Sequence, residues 1–304
     1  MANSASDRYL KSFNLSPIDR SAEGKVDAHL TNNHELAQRT FENTMQTRTK
    51  LFVILWIAGM TGILSFLLVD LSALLSSLPV TAGKEMPFPP LIMGVVSLIQ
   101  PIVLMSLAVL VGTTLAHKVL LSAPVAEAAA ARKNLVPALK PQIFPGVIGG
   151  SVGGITILVS WLLWKPFLPT LFVIQAEKFN RFMPVLTRLL YGGITEELLL
   201  RWGLMTLLVW VSWRLFQGVQ GRPPTICFVS AIVISSVIFG IAHLPIVAAL
   251  GAGFTIPIVA YVIIANSMFG LIAGYLYWKR GLEAAIIAHM SAHLIIITAM
   301  YVGT

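Results

Sequence analysis

A chain of 304 residues that is 56% hydrophobic and only 11% charged lies far below the roughly 25% charged residues of soluble domains and reads as a polytopic membrane protein. The mean hydropathy of +0.81 agrees. A net charge of +8 would suggest nucleic acid in a soluble protein, but here the basic residues cluster in short loops, the pattern of cytoplasmic membrane flanks, and nucleic-acid binding is set aside.

Residues 1–47 form a polar tail whose charges nearly cancel. Its few apolar residues cannot build a core, so it is expected to be disordered up to a short helix near His34 to Thr47. His29 and His34 read as solvated residues without a role. No early apolar run resembles a signal peptide, which makes the first span a membrane anchor.

Seven spans of suitable length succeed the tail, at about 51–68, 91–116, 143–164, 186–213, 226–250, 256–278 and 282–301. The first is extended by a Ser/Leu-rich stretch to Leu78, and Pro79 to Pro90 reads as a turn region. The second should kink at Pro101, and His117 marks its exit. The basic stretch 118–142 is a candidate cytoplasmic loop, with a short helix over Ala126 to Ala131. The third span opens with Gly146, Gly150 and Gly154 at four-residue spacing, which predicts close helix packing at the centre of the bundle. A linker with Pro166, Pro169 and Pro184 leads to the fourth span. Cys227, the one cysteine, opens the fifth as a buried small hydrophobe and excludes an intramolecular disulfide.

Flanking basic residues set the orientation. Arg48, Lys50, Lys118, Arg132, Lys133, Lys140, Arg214, Arg222, Lys279 and Arg280 fall on one side, against Lys84, Lys165, Lys178, Arg181 and Arg188 on the other. The excess predicts a cytoplasmic N-terminus. A re-entrant segment within 143–185 would invert the orientation of every later span, and would make eight membrane segments the alternative to seven. The expected fold is all-α: a polar tail over 1–47, transmembrane helices and loops over 48–185, and a catalytic helical core over 186–304.

The fourth span carries three ionised side chains, Glu196, Glu197 and Arg201. Unpaired at mid-bilayer they would cost roughly 7–10 kcal/mol together, at about 2.5–3.5 kcal/mol each. Glu197 and Arg201 are four residues apart and can pair on one helical face. Glu196 points about 100° away and stays without that partner, which makes it a candidate general base. The structural alternative is one ion cluster between helices.

Three histidines on later spans, His243, His289 and His293, give Glu196 something to work with. His289 and His293 share a helical face and can converge. In one mechanism Glu196 and His243 activate a water for attack on a peptide carbonyl, with His289 and His293 stabilising the oxyanion. In another, His289 and His293 bind zinc together with Glu196 or His243, although His-Met-Ser-Ala-His lacks the internal glutamate of zinc peptidases. A third possibility is a non-catalytic scaffold or a proton-coupled carrier built on the same buried groups.

Glu-Glu-x-x-x-Arg at 196–201, Phe-x-x-x-His at 239–243 and the histidine pair at 289–293 occur in that order on successive spans. Together they resemble the CAAX prenyl protease and bacteriocin-processing family over about residues 186–304. The resemblance implies an intramembrane glutamate-type endopeptidase that acts without a cofactor. Its substrate would be a prenylated protein, a leader peptide or a membrane partner presented at the lipid bilayer. It assigns Glu196 as base, His243 as its partner on the water, His289 to the oxyanion, and Glu197 and Arg201 as support. One residue departs: the family usually carries asparagine where His293 stands. Asn266 on the sixth span could supply that amide, or could serve as an interhelical hydrogen bond.

Overall fold

A computed structural model describes residues 45–70, 89–217 and 221–302. The expected helix over His34 to Thr47 therefore lies outside the described residues up to position 44, and so do His29, the stretch from 71 to Leu78 and most of the Pro79 to Pro90 turn. The described residues form helices and no strand. Among the described residues seven helices are long and apolar enough to cross a membrane: α1 (Met45–Leu68), α2 (Ile92–Val119), α4 (Val136–Phe167), α6 (Val185–Phe216), α7 (Thr225–Ala249), α8 (Ile256–Arg280) and α9 (Leu282–Val302). Two shorter helices, α3 (Pro124–Ala130) and α5 (Thr170–Phe182), lie in the connections.

Large apolar side chains such as Val53, Leu107, Ile155 and Val233 stay exposed on the outer faces. That is the surface a helix bundle presents to lipid, where association rests on close packing. The glycine stripe of α4 supplies it. Cβ atoms at Gly150 and Gly154 would run into the backbone of Ala288 and Ala292 on α9, and Gly149 and Gly153 face Leu276 and Phe269 on α8. On α8, Gly270 and Gly274 pack in the same way on Ser236 and Ile232 of α7. The central placement expected for the third span holds, and it seats the turn carrying His289 directly against α4.

Two local readings differ from the sequence expectation. α4 begins at Val136 rather than near Ile143. Asn134 Oδ1 accepts the Val136 N–H at 3.0 Å, and Pro137 stands in the first turn, where no N–H partner is needed. The expected linker after Pro166 contains α5, because Pro169 and Pro184 flank that helix instead of interrupting it. Phe172 and Ala176 on the apolar face of α5 pack with Val247 of α7, Leu250 just past its end and Val262 of α8.

One end of the bundle is tied by backbone caps. Glu283 Oε1 accepts the N–H groups of Val125 and Ala126, and Gln142 Oε1 accepts that of Ala284, at 2.9–3.0 Å. These are orphan donors at the starts of α3 and α9. His117 at the end of α2 receives a hydrogen bond from Arg48 Nη2 at 3.0 Å.

Candidate active site

α6 is not a regular α-helix. Arg188–Glu196 and Leu198–Met205 are π-helical, wound with i to i+5 bonds, and Glu197 sits at the junction. Widened turns of this kind are rare and are frequently found at functional sites. Side-chain hydroxyls hold the element to α1: Thr187 Oγ1 donates to Ser65 O at 2.9 Å and Thr195 Oγ1 to Gly59 O at 2.8 Å. Towards its other end, the Thr206 hydroxyl is 2.8 Å from the Tyr277 hydroxyl of α8.

The two glutamates have different surroundings. Glu197 is fully buried, and its Oε1 accepts from Arg201 Nη1 at 3.0 Å and from His289 Nδ1 at 2.8 Å. Arg201, 1% exposed, donates through Nη2 to Gly270 O at 3.1 Å. Glu196 is 19% exposed, and its Oε2 lies 3.8 Å from His289 Nε2. The pairing expected of Glu197 with Arg201 is present despite the change of helix type, and His289 joins it from α9.

His243 owes its position to a break in α7. Pro245 has no N–H and would crowd the carbonyl four residues before it, so regular helix ends at Ile241 and resumes at Leu244. The His243 backbone N–H then bonds Gly240 O instead of Phe239 O. The freed Phe239 carbonyl takes the His243 ring through Nδ1 at 2.8 Å. Since a carbonyl only accepts, Nδ1 carries the hydrogen, and Nε2 of the neutral ring keeps a lone pair.

Phe239 is the apolar hub of the cluster. The Arg201 guanidinium lies over its face at 5.1 Å, and the His243 and His289 rings meet it edge-on at 4.8 and 5.9 Å. The His289 and His293 rings stack nearly parallel, 4.9 Å apart. A Cβ at Gly192 of α6 would strike the His293 ring.

Glu196, His243, His289 and His293 line one cavity of about 1040 Å³ between α6, α7 and α9. Asn266 lines it as well, and its Nδ2 donates within α8 to Val262 O at 2.7 Å. Sequence reasoning passed over Arg188 and Tyr191, which also line the cavity. The signal available for Arg188 was its place as a second arginine inside the apolar run of the fourth span. Among the described residues no group of three His, Cys, Asp or Glu side chains is disposed to hold a metal ion.

Residues 178–295 match a family model described as Rce1-like, type II CAAX prenyl endopeptidase Rce1-like. No match to the chain is found among curated proteins or among solved structures. The matched stretch starts in α5, ends in α9 and takes in the cavity-lining residues from Arg188 to His293. Residues 178–295 are therefore similar to the Rce1-like, type II CAAX prenyl endopeptidase family, in a chain whose described residues hold seven helices apolar and long enough to cross a membrane.

Proposed function

We propose that the protein is an intramembrane endopeptidase in which Glu196 and His243 activate a water held in the cavity. The observation that carries this reading is the division of the acidic pair: Glu197 is closed off behind Arg201 and His289, while Glu196 opens on the same cavity as the three histidines. A water between the Glu196 carboxylate and His243 Nε2 would give one O–H to each and turn its lone pair towards a peptide carbonyl. Glu196 takes the proton as the water attacks and returns it to the leaving amine. His289, its ring held by Glu197 at Nδ1, is the group that faces the developing oxyanion in this reading. His293, stacked on His289, stands where a second donor to the oxyanion is needed.

The reaction as proposed takes no metal. His289 Nδ1 is engaged by Glu197, and the face-to-face stacking of His289 and His293 sets their ring edges side by side rather than converging on one point. Elemental analysis of active protein tests this, and stoichiometric zinc lost in His289→Ala would overturn it. The substrate is a peptide or protein segment presented at the membrane. The apolar cavity walls, Ile157, Trp161 and Phe172 among them, suit a chain bearing a lipid group.

Glu196→Gln in protein reconstituted in lipid decides the reading. Cleavage of a farnesylated reporter peptide should fall about 10²–10⁴-fold, the scale of a lost general base. Undiminished cleavage would refute Glu196 as the base. Comparing protein C-termini in cells with and without the enzyme would identify the natural substrates.

A further inference from the structure

Glu197 and Glu196 differ in how they are held. Two bonds fix Glu197, from Arg201 at 3.0 Å and His289 at 2.8 Å, whereas Glu196 Oε2 lies 3.8 Å from His289 Nε2, longer than a hydrogen bond. A base that must face a water needs its carboxylate oriented as well. The side chain placed to do this is Tyr191, which lines the same cavity and lies within electrostatic range of Glu196.

This placement follows from the winding of α6. Tyr191 and Glu196 are five residues apart, which on a regular α-helix, at about 100° per residue, would set them about 140° apart around the axis. Arg188–Glu196 is π-helical, and a turn closed by i to i+5 bonds brings the fifth residue onward nearly above the first. Helical side chains also lean towards the N-terminus of their own helix, so Glu196 reaches back over the turn that carries Tyr191.

The phenol ring is fixed from the α1 side. It meets the Phe66 ring edge-on at 4.7 Å, and the Thr187 and Thr195 hydroxyls, before and after it, fasten the stretch to Ser65 O and Gly59 O at 2.9 and 2.8 Å. We propose that Tyr191 is the positioning residue of Glu196: its hydroxyl donates to the Glu196 carboxylate and keeps it turned towards the water shared with His243. The assignment rests on the protease reading and names the group that holds its base. On an α-helix of the same sequence the phenol would stand on another side, so the π winding is what assembles the pair.

Tyr191→Phe keeps the ring and its contact with Phe66 and removes only the hydroxyl. In full-length protein in lipid nanodiscs, kcat for a farnesylated reporter peptide should fall about 10- to 100-fold, the scale of one hydrogen bond to a charged group. KM and the thermal midpoint should stay at their wild-type values. An unchanged kcat would assign Tyr191 to packing, and a change confined to KM would make it a wall for substrate; either result overturns the proposal.

Infrared difference spectra test the contact without cleavage. The carboxylate band of Glu196, identified by its loss in Glu196→Gln, should shift in Tyr191→Phe. A shifted band in a protein that cleaves no peptide would keep the contact and sink the protease reading. An unshifted band, with wild type cleaving the reporter, overturns the contact and leaves the protease reading standing. Should Tyr191→Phe fail to fold, a ring-fluorinated tyrosine at position 191 keeps the shape and makes the hydroxyl a stronger donor; the Glu196 band should then move, and a band that stays in place overturns the contact.

Discussion

Replacing Arg201 by methionine keeps the volume of the side chain and removes its charge. In the native protein this guanidinium is 1% exposed and bonds Glu197 Oε1 at 3.0 Å and Gly270 O at 3.1 Å. The variant leaves a fully buried carboxylate held only by His289, and a carbonyl without its donor. Removing one member of a buried ion pair costs about 3–5 kcal/mol, because the partner stays behind uncompensated. At roughly 2–4 °C per kcal/mol for a chain of this size, the thermal midpoint should drop by about 6–20 °C. Peptidase activity should fall with it, since Glu197 no longer has a fixed position from which to orient His289. The assay is thermal unfolding of purified protein in detergent, followed by loss of the monodisperse peak, with the exposed Lys133→Met as control. The double variant Glu197→Gln/Arg201→Met removes the orphaned charge and should regain more than about 1 kcal/mol of the loss, a coupling expected only of groups in contact. A midpoint for Arg201→Met within about 2 °C of the control, or a double variant no more stable than the single, would refute the claim that this pair carries the buried charge.

Gly192→Ala would drive a methyl group into the His293 ring, and cleavage of the reporter peptide should drop at least about tenfold while the midpoint moves by less than the cost of an overpacked core, roughly 1–3 kcal/mol. His293→Asn keeps a hydrogen-bond donor at the oxyanion position and should retain activity; complete loss of cleavage would remove residue 293 from that role. Gly150→Leu places a side chain against the backbone of Ala288 and should prevent accumulation of folded protein, scored by the yield of monodisperse material after membrane extraction. Thr195→Val deletes the bond to Gly59 O at a cost of about 1 kcal/mol and should lower the midpoint without abolishing cleavage.

The seven spans were legible because hydropathy over some twenty residues is a property of composition, and composition survives any detail of packing. The Gly146, Gly150 and Gly154 stripe was legible for a related reason, since close approach of helices has few other solutions. The Glu197 pairing with Arg201 followed from spacing and persisted into a π-helix, whose geometry was not foreseeable: nothing in Leu189 to Met205 distinguishes i+5 from i+4 bonding without the contacts to the carbonyls of α1. α5 was hidden because prolines that bound a helix and prolines that break one look alike in sequence. The break at His243 could have been read from Pro245, but the use of the freed Phe239 carbonyl depended on three-dimensional contact. Arg188 was counted as a flanking charge, because only the cavity shows that it shares a lining with Glu196 and the histidines.

The buried charges of α6 also bear on how the chain enters the membrane. The Gly270 carbonyl that receives Arg201 is 69 residues further along the chain, and His289, which binds Glu197, is 92 residues beyond its partner. A helix emerging during synthesis therefore meets lipid before either contact exists. The one neutralising interaction available to it then is internal, Arg201 with Glu197 a single turn away. The pair that later braces the cavity thus lets α6 insert as a net-neutral segment along that face, leaving Glu196 as the group whose burial awaits the arrival of α8 and α9. Assembly of the last two helices is then the step at which the protein becomes competent, and truncation before residue 270 should yield a chain that inserts but is degraded.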